Sequence, residues 1–145
     1  MGRVMALDVG TKTIGIAISD PLGMLAHPVT TLARKGVRHD TAQIATLITD
    51  RKVDWVIVGL PLELDGTEER SARLARQIGA SVRASTGLRV GYLDERYSSV
   101  DAERQLIEAD VSRSRRKQII DQQAAVIILQ SFLDSGESAV LEEEA

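Results

Sequence analysis

The chain contains no cysteine. That absence excludes disulfides, thiolate zinc sites, iron–sulfur clusters and cysteine nucleophiles. Aromatic residues make up only 3% of the sequence, so platforms for stacking nucleobases are scarce. The two histidines, His27 and His39, stand alone, and ordinary strand and helix-start positions account for them better than metal ligation. The longest unbroken apolar run, Ala124 to Leu129, is far too short to cross a bilayer. No charged-then-apolar leader with a small-residue cleavage site opens the chain, which predicts a cytoplasmic protein with no membrane partner. What is present, 145 residues of which 43% are hydrophobic and 27% charged, suffices for one compact domain with a real core.

Formal net charge is −3, from 18 Lys+Arg and 21 Asp+Glu. Four of the acids, Glu137, Glu142, Glu143 and Glu144, follow Gly136 in a stretch with no basic residue. Without them the balance is 17 acids against 18 bases. The pattern predicts a single domain over residues 1–136 and an acidic, disordered tail over 137–145. The cations cluster: Arg34, Lys35 and Arg38 form one group, and Arg113, Arg115, Arg116 and Lys117 another. Most are arginine, whose planar fork matches phosphate oxygens in two-point geometry. Each cluster is equally readable as a solvated face, so charge permits a nucleic-acid partner without establishing one.

Apolar runs and alternation predict strands over Arg3–Val9, Ile14–Ser19 and, interrupted by Pro28, Met24–Leu32. Ile44, Leu47 and Ile48 at helical spacing mark a helix over Arg38–Arg51. The run WVIVG, Trp55 to Gly59, is the apolar-on-both-faces type found inside parallel sheets. A loop over Leu60–Gly66, a helix over Glu68–Ala84 and a strand over Arg89–Leu93 follow. Ser98 or Ser99 caps an expected helix running to about Ala109. Val111–Lys117 reads as a basic loop, and Ile119–Leu133 as a deeply buried helix. This order of elements predicts a mixed sheet with helical crossovers, an α/β layered domain.

Three carboxylates stand where such a fold does not need them. Asp8 ends the first strand inside an apolar run, Glu95 follows the strand Arg89–Leu93, and Asp121 lies in the most hydrophobic helix. Carboxyl ends of parallel strands gather at one edge, where crevices form. An unpaired buried carboxylate is costly, so a hard cation is the natural partner; oxygen ligands without His or Cys suit Mg²⁺ or Mn²⁺. Each acid also has a structural reading: Asp8 holding the Gly10 turn, Glu95 paired with Arg96 or Arg89, Asp121 on an exposed helical strip. In the segment DVGTKTIGIAISD, Gly10 and Gly15 remove side-chain bulk, which lets backbone N–H groups, Thr11 or Lys12 approach a phosphate. A DxGT turn also occurs in the nucleotide loops of sugar kinases, actin and heat-shock ATPases, but those need two such domains, and this chain is too short for both.

Four motifs in order, DVGTKTIGIAISD, VGLPLELDGTEE (Val58–Glu69), LDERYSS (Leu93–Ser99) and IIDQQAAVIILQSFL (Ile119–Leu133), resemble the YqgF/RuvX family. Its members are bacterial pre-16S rRNA nucleases, also called Holliday-junction-resolvase-like proteins. The resemblance implies a ribonuclease H-like fold, a five-stranded mixed sheet flanked by helices. Carried over position by position, the acidic motif residues fall on Asp8, Glu95 and Asp121; Asp94 is a rival to Glu95. Thr13 stands where the family often has Arg, and Glu63 where many members have Asn.

The implied chemistry is two-metal hydrolysis of a phosphodiester. Asp8 would bridge two Mg²⁺ or Mn²⁺ ions roughly 3.5–4 Å apart, with Glu95 and Asp121 completing the shells. Thr11, Lys12, Arg96 and Ser98 are candidate phosphate positioners, and Arg113, Arg115, Arg116 and Lys117 would grip the backbone in a salt-dependent way. The expected activity is 5′-end maturation of pre-16S rRNA. Resolution of branched DNA or action on single-stranded DNA is the alternative, and a non-catalytic nucleic-acid-binding module the third reading. The chain is expected to act as a monomer or a homodimer; junction resolution requires two sites and hence a symmetric pair.

Overall fold

The computed structural model describes residues 2–61, 69–95 and 113–143, the side chains of 113–123 and of Ser138 excepted. Strands β1 (Arg3–Val9), β2 (Thr13–Ser19) and β3 (Ala26–Ala33) form the antiparallel meander that the first third of the sequence predicts. Helix α1 (Val37–Arg51) leads to β4 (Val53–Leu60), and helix α2 (Arg70–Thr86) leads to β5 (Arg89–Asp94). Gly87 caps α2 in the left-handed region at φ 71°, and its N–H donates to the Arg83 carbonyl at 2.8 Å, which turns the chain straight into β5. Helix α3 (Arg113–Ser135), a single 3-10 turn (Glu137–Ala139) and β6 (Val140–Glu142) complete the chain.

The sheet has the order β3-β2-β1-β4-β5-β6. Strands β1, β4 and β5 are parallel, and the other three join antiparallel. Two-residue alternation divides the side chains between two layers. Met5, Leu7, Val9, Val56, Val58, Leu60 and Tyr92 pack under α1 and α2. Val4, Ala6, Ala17, Ile57 and Leu93 pack under α3, against Ala124, Ala125, Ile128 and Phe132. Each such Leu or Ile withdrawn from water contributes about 1.5–3 kcal/mol. Because β1, β4 and β5 point the same way, their carboxyl ends share one edge of the sheet.

Polar bonds tie the layers where apolar packing alone would leave them free to slide. The Thr41 and Ser81 hydroxyls meet at 2.7 Å between α1 and α2. On the other face, Gln130 of α3 accepts from the Ala26 N–H at 3.0 Å and donates to the Met24 carbonyl at 3.1 Å. That amide holds the edge strand β3 to the helix.

The structure departs from the sequence expectations at four places. The sheet has six strands, not five. The sixth comes from the segment expected to be a disordered tail: Val140, Leu141 and Glu142 pair antiparallel with Leu93, Tyr92 and Gly91 of β5. An open sheet edge offers unpaired N–H and C=O groups, and even a short, polar segment can use them. The expected basic loop ending at Lys117 is helical from Arg113 onward, because Arg, Lys and Gln are good helix formers and continue the apolar helix that follows. Pro28 does not interrupt β3. The strand lies at the sheet edge, and a register shift beside Ala17, which opposes Pro28, accommodates the missing N–H. Leu60 ends β4 instead of starting a loop. The helix expected from Ser98 to Ala109 lies outside the described residues. Among the described residues, no helix is long and apolar enough to cross a membrane.

Candidate active site

Asp8 is the penultimate residue of β1, and alternation sets it on the same face as Val4 and Ala6, toward α3. It pairs across the ladder with Gly15 of β2. On its other side, Leu7 opposes Val58, so the next step brings Asp8 level with Gly59 of β4. Both flanking positions therefore lack side chains. Glu95 follows Asp94 at the end of β5, and on that strand Leu93 belongs to the α3 face. Its carboxylate turns back over β4: a Cβ built on Gly59 would lie 3.1 Å from Glu95 Oε1 and 2.5 Å from Ile128 Cδ1. Oε1 is shielded from solvent there. Asp8 and Glu95 thus stand two strands apart, about 10 Å between backbones, with Gly59 of β4 between them and Ile128 packed over it. Glycine at 59 is what lets Glu95 and Ile128 pack over β4 beside Asp8.

Alternation also decides between neighbouring acids on β5. Val90 and Tyr92 face α1 and α2, so Asp94 follows them to that side, away from Asp8. Asp94 is buried opposite Leu60, a residue of the same layer. Glu95 is the acid that the sheet brings to the side of Asp8.

The turn after Asp8 is braced from below. The Gly10 N–H donates to the Thr13 carbonyl at 2.8 Å, closing the turn, and Thr11 and Lys12 are exposed on its outer side. The Arg34 N–H donates to the Lys12 carbonyl at 2.8 Å, and its guanidinium Nη1 donates to the Gly10 carbonyl at 3.0 Å. Nε of the same side chain donates to Asp40 Oδ2 at 3.0 Å, while Asp40 Oδ1 accepts from the Lys35 N–H at 3.0 Å. Asp40 is fully buried. Burial pushes its pKa up, but the Lys35 N–H and the Arg34 guanidinium outweigh that and hold it below the usual carboxylate range. The sequence reads Arg34 as part of a solvated or phosphate-facing cluster. The structure assigns it to the brace, with its side chain 11% exposed.

Of the residues expected at the site, Asp8, Glu95, Thr11 and Lys12 gather at the carboxyl edge of the parallel strands. Asp121 belongs to α3, seven residues or two turns before Ile128, and its side chain lies outside the described set. The side chains of Arg113, Arg115, Arg116 and Lys117 also lie outside it, and so do Arg96 and Ser98 altogether. Among the described residues no group of three His, Asp or Glu is placed to hold a metal. Sequence reasoning missed Gly59 and the brace formed by Arg34 and Asp40. The signal for Gly59 was the glycine that closes WVIVG, a residue with no role in an apolar strand unless something must pass over it.

A mixed sheet with this order and helices on both faces is a ribonuclease H-like fold. Two structures of T. thermophilus RuvC share the fold, each with a TM-score of 0.59. One, in complex with a Holliday junction substrate, is 14% identical and covers 99% of this chain and all of its own; the other is 12% identical and covers 97% and 99%. The chain belongs to the RuvX family, described as Holliday junction resolvase, whose model matches residues 2–135. Its relatives include the "Putative pre-16S rRNA nuclease" of Myxococcus xanthus (strain DK1622), 47% identical over 133 residues, 92% of this chain and 88% of the relative. A protein of the same name in Clostridioides difficile (strain 630) is 46% identical over 133 residues, 92% of this chain and 94% of its own.

Proposed function

We propose that the chain is a metal-dependent nuclease that hydrolyses phosphodiester bonds in the 5′-end maturation of pre-16S rRNA, in the cytoplasm. The observation that carries this reading is the pair of carboxylates itself: Asp8 and Glu95 come from separate strands to one face, with Gly59 between them leaving Glu95 room to turn back over β4. Structural acids do not need that clearance. The names of the relatives supply the class of substrate.

The donor set suits Mg²⁺ or Mn²⁺, since carboxylate oxygens without His or Cys favour hard divalent ions. Asp8 and Glu95 would hold them, with Asp121 as third ligand. When bound, two such ions lower the pKa of the attacking water and stabilise charge on the leaving oxygen. The protein's own residues do the rest. Thr11 and Lys12, fixed through the Arg34 brace, orient the scissile phosphate beside Asp8, and Arg96 and Ser98, next after Glu95 in the sequence, are the further candidates for that role. Arg113, Arg115, Arg116 and Lys117 hold the backbone farther away, a grip that weakens with salt. The packed α3 face keeps bulk water off the inner side of the two acids.

The test is cleavage of labelled precursor rRNA and a labelled four-way junction side by side, with Mg²⁺, with Mn²⁺ and with EDTA. Precursor rRNA is expected to be cut with either metal and not with EDTA. Asp8→Asn and Glu95→Gln are each expected to lose at least about 100-fold in rate while melting as cooperatively as wild type. Preferential cutting of the junction by a dimer would transfer the reading to branched DNA. Full activity of Asp8→Asn would remove the metal site from it.

A further inference from the structure

A second charged surface lies on the opposite face. Helix α2 presents Arg70, Arg73 and Arg76 three residues apart, and a groove of about 960 Å³ runs between these and β6. The other wall is acidic, formed by Glu142 and Glu143. Those two acids are directed elsewhere. Glu142 pairs with Arg89, and Glu143 accepts from the Tyr92 hydroxyl. Arg76 lies over the Tyr92 ring at 4.9 Å. Arg70 and Arg73 are exposed and make no ion pair among the described residues. Two guanidinium groups that pair with no described residue thus line one wall of the groove, opposite a wall whose acids are already engaged with Arg89 and Tyr92.

We propose that this groove binds the phosphodiester backbone of a single nucleic-acid strand, and that the acidic strap 137–143 competes with that strand for it. Three observations converge. The arginines recur along one helical stripe, which suits a ligand with repeated negative charge better than a single anion. Helix α2 crosses from the carboxyl end of β4 back to the start of the parallel strand β5, so its first residue, Arg70, lies toward the sheet edge of Asp8 and Glu95. The family match ends at residue 135, and the strap lies wholly beyond it. The arginine wall of the groove thus lies inside the matched region and the acidic wall outside it. The nuclease reading supplies only the class of ligand.

Binding of a fluorescein-labelled oligouridylate to the full chain, followed by anisotropy in EDTA across a range of salt, tests both halves. R70A/R73A is expected to weaken binding and to flatten the salt slope by about 0.7 for each phosphate no longer neutralised. E142Q/E143Q is expected to tighten it by roughly two- to tenfold, the scale of an exposed charge interaction. Melts by circular dichroism guard against unfolding, which is not expected where Arg70 and Arg73 are exposed. An unchanged affinity and slope in R70A/R73A overturns the surface. An unchanged affinity in E142Q/E143Q overturns the competition, and equal binding of labelled polyglutamate overturns nucleic acid as the occupant. EDTA withholds the metal that the proposed cleavage requires. A chain that binds through these arginines yet never cuts RNA defeats the nuclease reading alone, whereas one that cuts and binds without them defeats the groove alone.

Discussion

The two faces of the sheet are built from different residues. Under α1 and α2 the strands contribute Met5, Leu7, Val9, Ile14, Ile16 and Ile18, long side chains that interlock with Ile44, Ile48 and Ile78. Under α3 they contribute Val4, Ala6, Ala17 and Gly59 beside Ile57 and Leu93, and the helix answers with Ala124 and Ala125 as well as Ile128, Leu129 and Phe132. Bulky residues maximise buried apolar area and hence stability. Small ones let a helix lie close to the sheet, and at Gly59 they let Glu95 turn back over β4. Long side chains dominate the first face, whereas the second mixes long and small ones, and its small positions, Ala6 and Gly59, are the ones beside the acids.

The largest expected effect comes from cutting into the stabilising face. Leu7→Ala removes a fully buried side chain one residue from Asp8 but on the other side of the strand. A loss of about 2–5 kcal/mol is expected, read from denaturant midpoints, with cleavage per folded molecule nearly unchanged. A large loss of activity in the folded fraction would mean that the faces are not separable.

A pair of glycines sharpens the contrast. At Gly59 a Cβ meets Ile128 Cδ1 at 2.5 Å and Glu95 Oε1 at 3.1 Å; at Gly79 of α2 it meets the Tyr92 hydroxyl at 2.2 Å. Both substitutions to Ala overfill a packed site and are expected to cost about 1–3 kcal/mol. Gly59→Ala is also expected to depress the rate beyond what unfolding explains, because Glu95 must move. Gly79→Ala is expected to leave the rate per folded molecule intact. Equal rates for the two variants would detach Gly59 from the site.

Much of this contrast was legible in the sequence, and its limits have physical causes. The β-branched run at Trp55–Gly59 and the alternation in Thr13–Ser19 announce strands because each side chain there packs on one of two faces. Asp8, Glu95 and Asp121 stand out because a carboxylate inside an apolar segment needs a reason. The start of α3 was not legible: Arg113–Lys117 carries no apolar period, and its helical state comes from propensity and continuity with the helix behind it. Strand β6 is only three residues long and depends on the open edge of β5, a long-range fact that no local pattern contains. The same holds for Arg34, which looks solvated beside Lys35 and Arg38 until α1 brings Asp40 beneath it.

The smallest expected effect concerns that buried pair, which braces the site's turn from the stabilising side. Asp40→Asn keeps the volume and the acceptor for the Lys35 N–H, but removes the charge facing Arg34. At neutral pH a loss of about 1 kcal/mol is expected. The sign of the pH dependence follows from the lowered native pKa of Asp40. Such a group stabilises fully above the carboxylate's unfolded value, near about 3.9, and its contribution fades as pH falls through the native value. Wild type and variant are therefore expected to differ most above about pH 5 and to converge in stronger acid, where Asp40 is protonated in both the folded and the unfolded chain. Urea midpoints of the two proteins across this range measure it. A gap that stays constant down to the acid limit would show that Asp40 acts through shape and neutral hydrogen bonds, and the Gly10 turn would then owe nothing to its charge.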